Sequence, residues 1–139
     1  MDLFLSWQVK PRKTMTVKSY LCSANEKITP RRITLLVDTG AGRTAISRNI
    51  LESLGYTEMT KDPKPSRTAT GLVHFDMVKI AKLELGGEFA VANVDVHVLE
   101  WTDSNLQGVI GMDILSKLHI HSDTVNFVIQ NKPFELRIS

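Results

Sequence analysis

The stretch Ile33-Thr34-Leu35-Leu36-Val37-Asp38-Thr39-Gly40-Ala41 constrains this chain more than any other. An apolar run with the length and branching of a buried strand ends abruptly in an acid, a hydroxyl and a glycine. A carboxylate at the tip of a buried strand is costly unless donors or a partner group surround it. Chains keep such a group most readily where its chemistry is used. The glycine behind it permits a tight turn whose backbone N–H groups can face the carboxylate. Only one copy is present. Asp103-Ser104-Asn105 and Asp123-Thr124-Val125 are the other places where a hydroxyl follows an aspartate, and neither continues into glycine.

Strand patterns dominate the rest. Segments 3–9, 15–21, 33–37, 67–70, 73–80, 82–85, 88–91, 94–98, 119–122, 125–129 and 134–138 read as strands. Gly71 is expected to turn one hairpin and Gly86-Gly87 another. Residues 23–32, 61–66 and 100–105 read as loops. Ser47 is expected to cap a short helix running to Leu54, with Gly55 just past its end and Ile50, Leu51 and Leu54 as its buried stripe. A second short helix is expected from Asp113 to Leu118. The fold class is therefore all-β with two short helices, in a closed or sandwich-like architecture.

At 139 residues the chain fits a single domain, 1–139, with residues 1–13 as an arm or an added strand. A net charge of +2 is too small to argue for nucleic acid, and Lys10-Pro11-Arg12-Lys13 reads as a solvated turn. No apolar run approaches the ~20 residues of a membrane span. The first residues lack the pattern of a signal peptide. Cys22 is the single cysteine, which fits a reducing compartment, so a cytoplasmic location is expected.

Leu36-Val37-Asp38-Thr39-Gly40-Ala41, followed by Thr44-Ala45-Ile46-Ser47, resembles the active-site segment of the retropepsin-like aspartic proteases. Val109-Ile110-Gly111-Met112-Asp113-Ile114-Leu115 resembles that family's second motif, two apolar residues and a glycine before a helix. The resemblance covers roughly Thr14 to Ile138. It implies an endopeptidase in which Asp38 is the catalytic acid/base. Thr39 would bond across a dimer at the base of the site, Gly40 would shape the turn and donate its N–H, and Ala41 would complete the loop. Gly111 would pass beneath that loop. Thr70, Gly71 and Leu72 would form a flap over an extended peptide or protein substrate. One motif per chain implies a homodimer, with terminal strands interleaved between subunits. Neither cofactor nor metal is implied, and neither nucleic acid nor membrane is an expected partner. Many viral relatives carry an acid where this chain has Gly42, followed by Arg43, so a cellular or bacterial type of specificity is expected.

Rival readings use the same residues. A non-catalytic dimeric module could hold an extended peptide in the same cleft as an added strand. Gly40-Ala41-Gly42-Arg43-Thr44-Ala45 fits a dinucleotide fingerprint after a strand, although alternating βα units are missing. His119, His121 and Asp123 would share one strand face and could hold a metal, or simply be solvated. His74 and His97 read as surface strand residues. Met15, Met59, Met77 and Met112 read as core or edge fillers. Asp113 reads as a partner for a helix dipole.

Overall fold

The computed structural model describes residues 3–7, 16–85, 89–100, 105–121, 126–129 and 134–138, with side chains over 16–85, 89–100 and 105–117. The strands are β1 (Leu3–Trp7), β2 (Thr16–Cys22), β3 (Arg31–Val37), β4 (Ala45–Ser47), β5 (Thr60–Lys61), β6 (Ser66–Thr68), β7 (Gly71–Val73), β8 (Asp76–Leu85), β9 (Phe89–Leu99), β10 (Gly108–Ile110), β11 (Leu118–His121), β12 (Asn126–Ile129) and β13 (Phe134–Ile138). Two helices, α1 (Arg48–Ser53) and α2 (Met112–Leu115), follow β4 and β10.

Six strands close into a barrel in the order β2-β3-β10-β4-β9-β8, because β2 pairs with both β3 and the far end of β8. The short β5 joins β8 at Thr60↔Met77. Closure gives each of the six strands a partner on both sides over part of its length, which limits the exposed edge an all-β chain would otherwise present. The all-β expectation holds, and the closed architecture is the one adopted.

Alternation fills the interior. On β3, Ile33, Leu35 and Val37 are buried while Thr34 and Leu36 are half-covered. The run is thus a one-sided barrel strand rather than one buried on both faces. On the half-covered side the Lys18 ammonium donates to Thr34 Oγ1 at 3.1 Å. Leu21, Leu35, Ile46, Leu51, Ile80, Leu83, Ile110 and Ile114 are completely or almost completely buried and form the heart of the core. Burying a side chain of this type stabilises by about 1.5–3 kcal/mol.

Helix α1 shows its expected stripe, with Ile50, Leu51 and Leu54 buried. Gly55, at φ 89°, ends it, and its N–H donates to Glu52 O at 3.0 Å. The expected Ser47 cap does not form: Ser47 occupies the N-cap position but its hydroxyl makes no capping bond, because the residue is also the last of β4. Arg48 then ties three elements together. Its guanidinium meets Glu100 and Asp76 at 2.6 Å each, so both the cation and the Asp76 carboxylate are held in their charged forms. The strongest contributor to the lowered Asp76 pKa is the Lys61 ammonium, at 2.9 Å.

Some boundaries differ from expectation. Strand 73–80 is broken at His74-Phe75. The turn of the β6–β7 hairpin is Ala69-Thr70, between paired Thr68 and Gly71, so Gly71 begins the second strand. Helix α2 covers Met112–Leu115, one residue earlier and shorter than expected, because β11 starts at Leu118. Met59 packs against the core but Met112 is 37% exposed. The 10–13 cluster, Met15, the Gly86-Gly87 turn and most of the 100–105 loop lie outside the described residues, as do the side chains of His119, His121 and Asp123. Among the described residues, no helix is long and apolar enough to cross a membrane.

Candidate active site

Asp38 stands where β3 leaves the barrel. Its backbone N–H donates to Ile110 O at 3.1 Å, prolonging the parallel β3–β10 ladder by one step and fixing the residue's height above the core. The chain then reverses. Gly40 N–H donates to Asp38 Oδ1 at 2.9 Å, and Ala41 N–H donates to Asp38 O at 3.2 Å. The carboxylate is half-buried and one of its oxygens is held by backbone. A Cβ on Gly40 would lie 3.2 Å from that same oxygen, so the close approach favours glycine here. Thr39 is exposed at the loop's tip.

The loop rests on the segment after β10. Met112 N–H donates to Ala41 O at 2.8 Å, and Asp113 N–H to Gly42 O at 3.2 Å. Gly111 passes directly beneath: an added Cβ would meet Arg43 C at 2.7 Å and Ala41 O at 2.8 Å. Thr44, completely buried, is the hub. Its hydroxyl donates to Asp113 Oδ1 at 2.8 Å and accepts from Gly111 N–H at 3.1 Å, while its own N–H reaches Asp113 Oδ1 at 3.0 Å. Asp113 is therefore chiefly a brace between the two motifs, although it also accepts from Ile114 N–H in the first turn of α2. The fingerprint reading of Gly40–Ala45 fails on the same geometry. The segment leads into β4, which pairs with β10 and β9, so the glycines do not open a helix of their own, and the first amides of α2 are taken by Ala41 O and Gly42 O.

Beside the loop lies a cleft of about 490 Å³, lined on one side by Gly40, Ala41, Gly42 and Arg43 and on the other by residues 64–68 of the hairpin arm. Thr70 closes the hairpin turn, Gly71 holds φ 124°, a conformation that side-chain-bearing residues rarely adopt, and Leu72 is 63% exposed. Thr68 Oγ1 donates to Gly71 O at 2.9 Å and stiffens the tip.

A buried pair in the cleft wall was not foreseen. His97 is 7% exposed rather than a surface residue, and its Nε2 lies 2.8 Å from Asp62 Oδ2. The ring stacks on Phe75, with centroids 4.9 Å apart. Asp62 also accepts from Lys64 N–H at 2.9 Å, and Arg43 Nε is 3.9 Å away. The His97 bond is the main reason that its carboxyl titrates below the usual range, with the Lys64 amide next. Asp62 N–H donates to Phe75 O at 2.9 Å, so the two legs of the hairpin arm are joined at their base and seated on β9 through His97. His74, as expected, is exposed. Strand alternation alone sets His97 opposite the interior residues Val96 and Val98. Nothing local in the sequence signals that Asp62 and Phe75 cover it.

The model of the gag-polyprotein putative aspartyl protease family matches residues 24–117. No curated protein matches the chain. Among solved structures, a retropepsin-like aspartic protease from Rickettsia conorii is similar at TM-score 0.61 and 20% identity, over 84% of this chain and 83% of that one. The retroviral protease-like domain of Ddi1 from Leishmania major is similar at TM-score 0.56 and 18% identity, over 89% and 93%. At these identities the two structures establish a common fold. The family match spans well over half of the chain and contains Asp38, the hairpin arm and Gly111, and on that ground the chain belongs to the gag-polyprotein putative aspartyl protease family, with a retropepsin-like fold.

Proposed function

We propose that the protein is an aspartic endopeptidase whose active site is completed by a second copy of the chain, pairing Asp38 with Asp38 of the partner subunit. The observation that carries this reading is the Asp38 carboxylate itself. It is pinned by Gly40 N–H at the end of a barrel strand and stands beside the cleft of about 490 Å³.

Two carboxylates in close contact do not both ionise freely, so the pair shares one proton. The ionised member takes a proton from water, whose oxygen attacks the peptide carbonyl carbon. The protonated member donates to the carbonyl oxygen. Collapse of the tetrahedral species breaks the C–N bond, and the amine leaves with a proton from the pair. In this reading Thr39 bonds to the partner subunit at the base of the site, and Thr70, Gly71 and Leu72 close over the substrate. The β1–β13 pair supports association: it is a two-stranded parallel sheet separate from the barrel, a unit of marginal stability alone. Its strand edges suit interleaving with a second copy. A reducing, cytoplasmic setting accords with the single, half-buried Cys22.

The test is Asp38→Asn, nearly isosteric but unable to share or pass the proton. Hydrolysis of a mixed peptide library is expected to disappear while the fold and the dimer persist. Retained peptidase activity in clean variant protein would remove Asp38 from the chemistry. Undiminished peptide binding by a wild-type protein that cleaves nothing would favour the non-catalytic peptide module.

A further inference from the structure

We infer that the cleft selects peptides carrying an acidic side chain close to the scissile bond, and that Lys64 and Arg67 are the residues that select them. The inference rests on the cleft being the peptide site proposed above. Its basis is the charge left over once the groups lining the cleft have been paired.

Asp62 is the sole acid of the lining, and it is committed. It bonds to His97 at 2.8 Å and to Lys64 N–H at 2.9 Å, lies 3.9 Å from Arg43, and its side chain is only 11% exposed. Its charge is spent on holding the hairpin arm to the barrel. Arg43 is partly engaged as well, donating to Asp95 O at 3.1 Å. Lys64 and Arg67 differ. Both are exposed, both line the cleft, and among the described residues neither side chain has an ion-pair or hydrogen-bond partner. Other basic groups at the surface, such as Lys61, Lys79 and Lys82, lie beside carboxylates. A peptide entering the cleft therefore meets two unpaired cations on the hairpin arm, with Arg43 across from them. Apart from Asp38, which the proposed reaction occupies, the cleft offers no free carboxylate to reward a basic side chain.

Complementary charge of this exposed kind steers and discriminates more than it tightens. Each contact is weak and screened by salt. The expected preference for Glu over Gln is roughly threefold to tenfold at low salt, with Lys poorest.

Two measurements separate this inference from the peptidase reading. Wild-type protein is given a mixed peptide library, and cleaved sequences are scored for Asp and Glu near the cut. Independently, Asp38→Asn protein is titrated with fluorescein-labelled nonapeptides of Ala, Thr and Val bearing one central Glu, Gln or Lys, read by anisotropy at low and high salt. The expected order is Glu over Gln over Lys. The gap should shrink in salt, vanish in Lys64→Gln/Arg67→Gln and invert in Lys64→Glu/Arg67→Glu, all on the Asp38→Asn background. No binding, no Glu preference, or a preference unchanged by these substitutions would overturn the charge inference, whatever the library shows. Glu-selective binding without any cleavage by wild type would keep it and overturn the peptidase reading.

Discussion

Replacing Gly111 by alanine should separate the two motifs that build the candidate site. The backbone there, φ −104° and ψ −174°, suits any residue, so the cost is steric and not conformational. The new methyl carbon would lie 2.7, 2.8 and 2.9 Å from Arg43 C, Ala41 O and Arg43 O. All three are backbone atoms, so no side chain can swing away. The loop and the segment beneath it must part, against three hydrogen bonds: Met112 N–H to Ala41 O, Asp113 N–H to Gly42 O, and Gly111 N–H to Thr44 Oγ1. Overpacking of this kind costs about 1–3 kcal/mol, and each strained bond puts up to ~1 kcal/mol at risk. The stiffer unfolded chain returns about 0.4–1 kcal/mol. The net expectation is a loss of about 2–4 kcal/mol, or a Tm lower by roughly 5–12 °C in a chain of this length. Gly42→Ala is the control, since its Cβ would meet nothing within 4 Å. It should fall within about 0.5 kcal/mol of wild type or slightly above it. Urea unfolding at one fixed protein concentration measures both, because association would shift the midpoint. If Gly111→Ala proved as stable as Gly42→Ala, the close packing of the two motifs would be refuted.

Three further outcomes are expected. Ala41 offers no hydroxyl to the Asp38 carboxylate, so the proposed activity should run at mildly acidic to near-neutral pH, and Ala41→Ser should move the acid limb of the pH–rate profile downward; an unmoved profile would dismiss this account of position 41. Asp62 has a depressed pKa, so the stability it contributes is complete above the ordinary carboxylate value near 4 and drains away as the pH falls through its own lower value. His97→Ala should therefore lower Tm by on the order of 5 °C at pH 6, with a gap to wild type that narrows toward pH 2.5; a gap independent of pH would deny the pair its charge. Because one chain carries one motif, specific activity should fall on dilution, and deleting residues 134–139 should yield an inactive monomer, as followed by sedimentation alongside activity; constant activity per chain in a sample that sediments as monomer would end the shared-site model.

What the sequence disclosed and what it withheld divide by the range of the forces involved. The strand Ile33–Val37, the turn through Gly40 and the α1 stripe of Ile50, Leu51 and Leu54 depend on neighbours a few positions away, and hydrophobic period and glycine placement report such neighbours directly. Gly111 was legible as part of a motif, but its steric reason appears only when the Arg43 backbone is set 2.7 Å from where a Cβ would be. Ser47 failed as a cap because pairing with β9 claimed the residue for a strand, a tertiary demand that outweighed a local preference. Gly71 moved from the turn to the strand because Thr68 pairs with it across Ala69-Thr70, a register that residue type alone does not fix. Thr44–Asp113 and Asp62–His97 were invisible for the strongest reason. Each joins residues far apart in the chain, 69 and 35 positions respectively, and becomes an interaction only when the barrel closes. Both surround the Asp38 loop, one bracing it from below and the other seating the arm that faces it across the cleft. The motif thus marks the candidate carboxylate, while the groups that hold it in place and shape its cleft are written in the fold.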